Sequence, residues 1–323
     1  MALRFRSLAL AGLLTSASAI ATAAWPDDHP IEVLVGFAAG GGTDIMVRNM
    51  VPFIQKKLGG KATLVIVNRP GAGSEISNTF LARAKPDGYT LGIVNVPALE
   101  FVPMYKKAAY DPARIDLVAR VLSDPTVLVV RKDSPRATLK DLMAALRAKP
   151  GSVSFGHNGI GTNGHLALLQ LQLQNAGQSN FNEIPYNGTA QSKTALLGGH
   201  IDVAAMTSGE LPDAMAPDSK FRLLAQLGAT RLPTLNSVPT AVELGFDAVM
   251  PAERGFAAPV GVDPAILRRV QQAVEQTLKD PQYIAKASND APVLAFLPGA
   301  AWREEINVRK PGYERLARSM PKE

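Results

Sequence analysis

Three observations predict an α/β fold of two lobes joined by two crossing strands. Apolar β-like runs alternate with stretches of helical periodicity, the signature of parallel sheets with right-handed crossovers. Two glycine-rich turns, 36–44 and 156–165, each deliver a strand to the start of a helix, about one domain apart. Single cores stop growing near ~250–300 residues, so a chain of 323 residues is expected to hold two.

The elements follow in order. Arg4 and Arg6 precede an apolar run, 8–20, and then Ala21-Thr22-Ala23-Ala24, where small residues permit cleavage before Ala24 or Trp25. This reads as an export leader over 1–24, shorter than the ~20 apolar residues that span a bilayer. A strand at 31–35 enters the first glycine turn, after which Val47, Met50, Val51, Ile54 and Leu58 recur at helical spacing. Pro52 inside that helix predicts a kink or a late start. Strand 62–67, turn 68–73, helix 74–84, turn 85–88 and strand 89–94 complete the first run. Two β-rich runs, 117–122 and 126–130, place the crossing into the second lobe near 123–125, and a helix follows at 138–148.

The second lobe continues with strand 152–155, the second glycine turn, a long helix from 166, strand 181–185, helix 190–197, and strands 201–206 and 222–226. Pro233 and Pro239 mark the connection to a strand at 248–258 that returns to the first lobe, and helices at 264–278 and 300–318 end the chain. The expected division is therefore 25–123 with 233–323 in one lobe and 124–232 in the other.

Composition narrows the chemistry. The chain has no cysteine, which excludes a disulfide framework, a thiolate metal site and a lipid-anchored Cys after the leader. Its formal charge of +6 falls to +4 without Arg4 and Arg6, and the remaining basic residues are scattered, so no nucleic-acid surface is indicated. The four histidines (29, 157, 165 and 200) show no metal-ligand spacing, and no Gly-x-Ser-x-Gly occurs, so neither a metal site nor a catalytic constellation is predicted. No cofactor is expected.

Glycines remove Cβ atoms where a ligand must meet backbone, and the first N–H groups of a helix have no intrahelical partner, so both turns suit an anion. Asp44 either caps its helix or orders the loop amides. His165, in the first turn of its helix, is expected to stay neutral and orient the loop backbone. The second turn also matches Gly-x-Gly-x-x-Gly (Gly159, Gly161, Gly164), with Glu183 about twenty residues on, which raises the alternative of a nucleotide-dependent oxidoreductase. A helix end offers a carboxylate at most ~2 kcal/mol, whereas micromolar affinity requires ~8 kcal/mol. Both lobes must therefore contribute.

The run Phe37-Ala38-Ala39-Gly40-Gly41-Gly42-Thr43-Asp44 resembles the glycine loop of the substrate-binding proteins of tripartite tricarboxylate transporters, the Bordetella uptake gene product family. Further matches follow in the family's order: Asn68-Arg69-Pro70-Gly71-Ala72-Gly73, Pro86-Asp87-Gly88-Tyr89-Thr90-Leu91, Tyr110-Asp111-Pro112, Lys149-Pro150-Gly151, Gly159-Ile160-Gly161-Thr162-Asn163-Gly164-His165 and Pro185-Tyr186-Asn187-Gly188.

The resemblance implies a type II periplasmic binding protein, soluble in the periplasm and expected to be a monomer, that closes on an organic acid and hands it to a membrane permease. The acid would be a dicarboxylate, a tricarboxylate or an aromatic acid. A ligand-binding partner of a sensor is the other non-enzymatic alternative. Carried onto this chain, the family's ligand-binding positions are Phe37, Ala39, Gly40, Gly41, Gly42, Thr43 and Asp44 in the first loop and Gly159, Gly161, Thr162 and His165 in the second. Asn95 follows the third strand, and Thr207 and Ser208 follow the strand at 201–206. Glu75, Val96-Pro97 and Arg254 depart from the family pattern where selectivity is expected to be set. Arg254 is expected to grip a second carboxylate or cap an aromatic acid, the alternative being a solvated place at the rim.

Overall fold

The structure, a computed structural model, describes residues 25–174, 180–211 and 214–320. The export leader lies outside the described residues. No helix among them is long and apolar enough to cross a membrane.

The first run is β1 (Ile31–Val35), α1 (Gly42–Leu58), β2 (Leu64–Asn68), α2 (Glu75–Arg83), β3 (Thr90–Val96) and α3 (Ala98–Tyr105). β1 pairs in parallel with both β2 and β3, as alternating strands and helices require. The periodic face of α1 (Met46, Val47, Met50, Ile54, Leu58) is buried against the sheet. The helix starts at Gly42 and runs through Pro52, so the late start is not seen. α3 was not legible: its eight residues include Pro103 and show no polar face.

β4 (Ile115–Arg131) is one strand of 17 residues rather than two runs broken at 123–125. Its first part pairs antiparallel with β9 (Pro251–Pro259) and its last part with β7 (Val203–Thr207) and β8 (Phe221–Gln226). Pro125 sits opposite Pro251 where the ladder changes partners, a place at which a strand tolerates residues without an N–H. The strand order β2-β1-β3-β9-β4-β7, continued by β5 (Ser154–His157) and β6 (Asn182–Pro185), makes β4 and β9 the bridge between two parallel units.

The second unit contains α4 (Leu139–Ala148), β5 (Ser154–His157), α5 (Asn163–Leu173), β6 (Asn182–Pro185) and α6 (Thr189–Leu197). α4 begins with a capping box in which Thr138 accepts from the Asp141 amide and Asp141 from the Thr138 amide. α7 (Pro264–Leu278), α8 (Pro281–Ala287), β10 (Leu294–Pro298) and α9 (Gly299–Ser319) complete the chain.

Packing departs from the expected division in two places. Leu235 and Val238 share a core with Val127, Ile201 and Met206, while Ala241, Ala248 and Met250 share one with Phe155 and Leu166. Residues 233–250 thus pack with the second lobe instead of opening the return to the first. α9 spans both: Trp302 and Ile306 lie in a core with Leu34 and Val94, and Tyr313 and Leu316 in one with Phe155 and Leu166.

Candidate functional site

The first glycine loop is built around Asp44. Its carboxylate is 1% exposed, with Oδ2 accepting from the Gly40 amide at 2.8 Å and from Arg48 Nε at 2.8 Å, and Oδ1 accepting from Asn68 Nδ2 at 2.9 Å. Asn68 Nδ2 also donates to the Phe37 carbonyl at 3.0 Å. Burial alone would raise this carboxyl's pKa, but the donors from Arg48, Gly40 and Asn68 outweigh it and hold it below the ordinary carboxylate range. Asp44 is therefore an ordering residue turned away from any guest. No side chain caps α1, so the amides of its first turn stay open at the loop. Thr43 is buried, Gly41 and Gly42 are half-buried, and Ala39 and Gly40 are exposed at the rim.

The second loop is held by a histidine pair. His165 Nδ1 accepts from the Gly161 amide at 3.1 Å, and its Nε2 lies 3.5 Å from Glu183 Oε1. His157 Nε2 is 3.0 Å from the same oxygen. Burial, and then the neighbouring His157, pushes the His165 pKa down to about 4, so its ring is neutral at pH 7. His165 braces the loop from behind and does not line the cleft. Glu183, the acid that a dinucleotide site would turn toward a ribose, is engaged by these rings instead.

A cleft, partly open to solvent, lies between the two lobes and is lined by Phe37, Asn95, Val96, Pro97, Ala98, Asn158, Thr162, Asn163 and Ala252. The first loop contributes Phe37 and the second Thr162, so the two loops share one cavity. Thr162 Oγ1 is 2.6 Å from Asn158 Oδ1, and Asn163 Nδ2 donates to Thr126 Oγ1 at 2.8 Å. Closure is tight: a Cβ at Gly73 would lie 2.8 Å from the Ile160 carbonyl, and one at Gly161 2.7 Å from Val102.

Arg254 stands beside the start of α1, where a Cβ on Gly42 would lie 3.6 Å from its Nη1. Successive strand residues face opposite ways. Glu253 points under α9, where it meets Arg120 at 2.9 Å, Arg309 at 2.6 Å and Trp302 Nε1 at 2.9 Å. Arg254 points the other way, next to Asn95 on β3. It is 5% exposed, which removes the solvated-rim alternative. Three carboxylates surround it. Asp124 is pushed up by burial despite its bonds to Ser208 and Gly209; Asp290 is pushed up to about 6 by burial, with Asp124 and Glu210 adding to this; and Glu210 Oε1 stands 3.8 Å from Arg254 Nη2.

The Arg254 guanidinium makes no hydrogen bond among the described residues, and its Nε and Asn95 Oδ1 are buried without partners. Ser208, by contrast, has its hydroxyl and amide bound to Asp124 Oδ1. Among the described residues no group of His, Asp or Glu could hold a metal ion.

Some of this was not legible. Asn158 and Asn163 lie inside the second glycine turn and could have been named with it. Asp124, Glu210 and Asp290 meet Arg254 only through packing across the sheet. Glu75, expected near selectivity, pairs with Lys106 at 2.6 Å and accepts the Ala109 amide at 2.9 Å, which ties α2 to the end of α3.

Two α/β units bridged by long antiparallel strands, with one polar cleft between their glycine loops, make up the architecture of a periplasmic solute-binding protein. Known proteins agree. The model of the family described as "Tripartite tricarboxylate transporter family receptor" matches residues 46–294. The "UPF0065 protein in gbd 5'region" of Cupriavidus necator is 33% identical over 285 residues, with 85% of each chain covered. A solved periplasmic transporter is 27% identical with a TM-score of 0.82, covering 93% of this chain and 99% of its own. Periplasmic binding protein BugD is 26% identical with a TM-score of 0.79, covering 90% and 96%. The chain belongs to the tripartite tricarboxylate transporter receptor family.

Proposed function

We propose that this solute-binding protein captures a small organic carboxylate between its lobes and presents it, as a monomer freed of its leader, to a membrane permease. The supporting observation is Arg254: a buried guanidinium with no hydrogen bond, beside the open first turn of α1. A buried cation in that state is an incomplete site, because unmade charge-assisted bonds of ~1.5–3 kcal/mol each are restored when an anion enters. On this reading the acid's carboxylate sits on the amides of Gly42 and Thr43 with Arg254. Asn95 and Thr207 complete the inner wall, and Asn158, Thr162 and Asn163 close from the second lobe. Asp44 and His165 hold the two loops in shape. No reaction is assigned to the site.

Two proteins that share the fold at 24% identity were solved with adipate and with malate. At that identity the likeness speaks for the fold alone, and the two acids serve here as first probes. Native mass spectrometry of freshly purified protein is expected to show one retained small acid. Adipate, malate, succinate or citrate is expected to raise the melting temperature of stripped protein. A retained dinucleotide, with no response to any carboxylate, would overturn the reading.

A further inference from the structure

We propose that Glu210 is a built-in counter-anion: in the empty protein its carboxylate guards the place between α1 and Arg254, and the incoming acid binds by displacing it. This rests on the capture reading above and adds what the acid must compete against.

Three groups converge on one spot. A Cβ built on Gly42 would lie 3.6 Å from Arg254 Nη1, 3.8 Å from its Nη2 and 3.6 Å from Glu210 Oε1. The anion place at the start of α1 is thus bordered by the guanidinium and by a carboxylate from the second lobe. The Glu210 carboxylate is anchored through one oxygen, Oε2, which accepts the Thr207 amide at 3.0 Å. Oε1 has no hydrogen bond and stands off from Arg254 at 3.8 Å.

Ion pairs that stabilise this fold do not look like that. Glu253, on the neighbouring residue of the same strand, meets Arg120 at 2.9 Å and Arg309 at 2.6 Å. The Glu210 contact is close enough to neutralise the site and too long to lock it. Asp124 cannot play the same part, since Ser208 and Gly209 bind both of its oxygens. Asp290 packs against Gly209, whose Cβ would be 3.0 Å from Asp290 Oδ1, and no contact of Asp290 with Gly42 is seen among the described residues.

The consequence is a filter. A tethered carboxylate acts at an effective concentration of order millimolar, so an acid with a single anchoring group is excluded unless it is abundant. An acid that also bonds Asn158, Thr162 or Asn163 gains enough from the second lobe to win. The substrate class is therefore a carboxylate with a second polar group.

Isothermal titration of succinate, malate, adipate, citrate and acetate into the wild type, Glu210→Gln and Glu210→Ala tests this. Gln retains an amide oxygen for the Thr207 amide. About tenfold tighter binding of the acids that the wild type binds is expected in both variants, together with new binding of acetate. In an Arg254→Met background the gain from Glu210→Gln is expected to vanish. Equal affinity of wild type and variants would overturn the proposal and leave the capture reading standing. Loss of binding in the variants would make Glu210 a direct contact, as for an ammonium-bearing acid, and also overturn it. If no protein binds any of the acids, the capture reading falls first and the proposal with it.

Discussion

Replacing Arg254 with methionine is expected to lower affinity for the bound acid by about a hundredfold or more and to destabilise the empty protein at neutral pH. The binding loss corresponds to two charge-assisted hydrogen bonds at ~1.5–3 kcal/mol each. The stability loss comes from the three carboxylates left behind. Asp124 is fully buried, and removing the partner of buried charges typically costs ~3–5 kcal/mol.

The pH dependence has a definite sign. The Asp290 carboxyl is pushed up to about 6 in the folded protein by burial, opposed by Arg254 and aided by Asp124 and Glu210. A carboxyl with a raised folded pKa favours folding below its unfolded value, and that contribution is lost as pH rises through the folded value. Without Arg254 the folded value rises further, so the variant's deficit should be largest above pH 7 and shrink toward pH 5. Melting curves at pH 5 and pH 8, with titration calorimetry at pH 7, check both halves. Arg254→Lys, which keeps the charge and loses the planar fork, should recover stability before it recovers affinity. Unchanged affinity in Arg254→Met would remove Arg254 from the site.

Gly42→Val is expected to abolish measurable binding while leaving stability within roughly 1 kcal/mol of the wild type, because Val is no worse than Gly in a helix. The reason is local. Gly42 begins α1, is not among the positive-φ residues, and an added Cβ meets Arg254 and Glu210 at ordinary contact distance. The fold therefore accepts the side chain, but the two methyl groups fill the place that the carboxylate needs. Gly161 would be a poorer choice for this experiment. Its φ of +82° and the Val102 methyl 2.7 Å from its Cβ would mix backbone strain with lost binding. Equilibrium dialysis with a labelled acid and a chemical melt of the same sample separate occlusion from unfolding. Wild-type affinity in Gly42→Val would place the carboxylate elsewhere.

Much of the fold was legible because its elements announce themselves locally. The strand at 31–35 and the helix from Gly42 follow from period-2 and period-3.6 patterns, and the glycine turns mark where one becomes the other. The unbroken β4 was hidden because Pro125 reads as a breaker, and only the partner change opposite Pro251 makes it harmless. The packing of 233–250 on the second lobe was hidden because Leu235 and Ala241 lie in irregular segments without a period to read.

At the site, local and distant information separate in the same way. The loop residues and Arg254 could be named from their motif and strand. The burial of Arg254 could not, nor could its three carboxylates, since Asp124, Glu210 and Asp290 come from well-separated parts of the chain. The bracing role of His165 was legible from its place in the first turn of its helix, and that of Asp44 was one of two alternatives. Both are turned into the protein, where Gly40 and Gly161 donate to them.

The central claim is that one acid is held by backbone and side chains of both lobes at once. The most direct measurement is an amide-resolved NMR titration of stripped protein with the tightest-binding acid, following Gly42 and Thr43 in the first lobe and Thr162 and Asn163 in the second. The expected result is that all four signals move along one saturation curve with a common Kd. Saturating binding that shifts the amides of only one loop, or of neither, would contradict it.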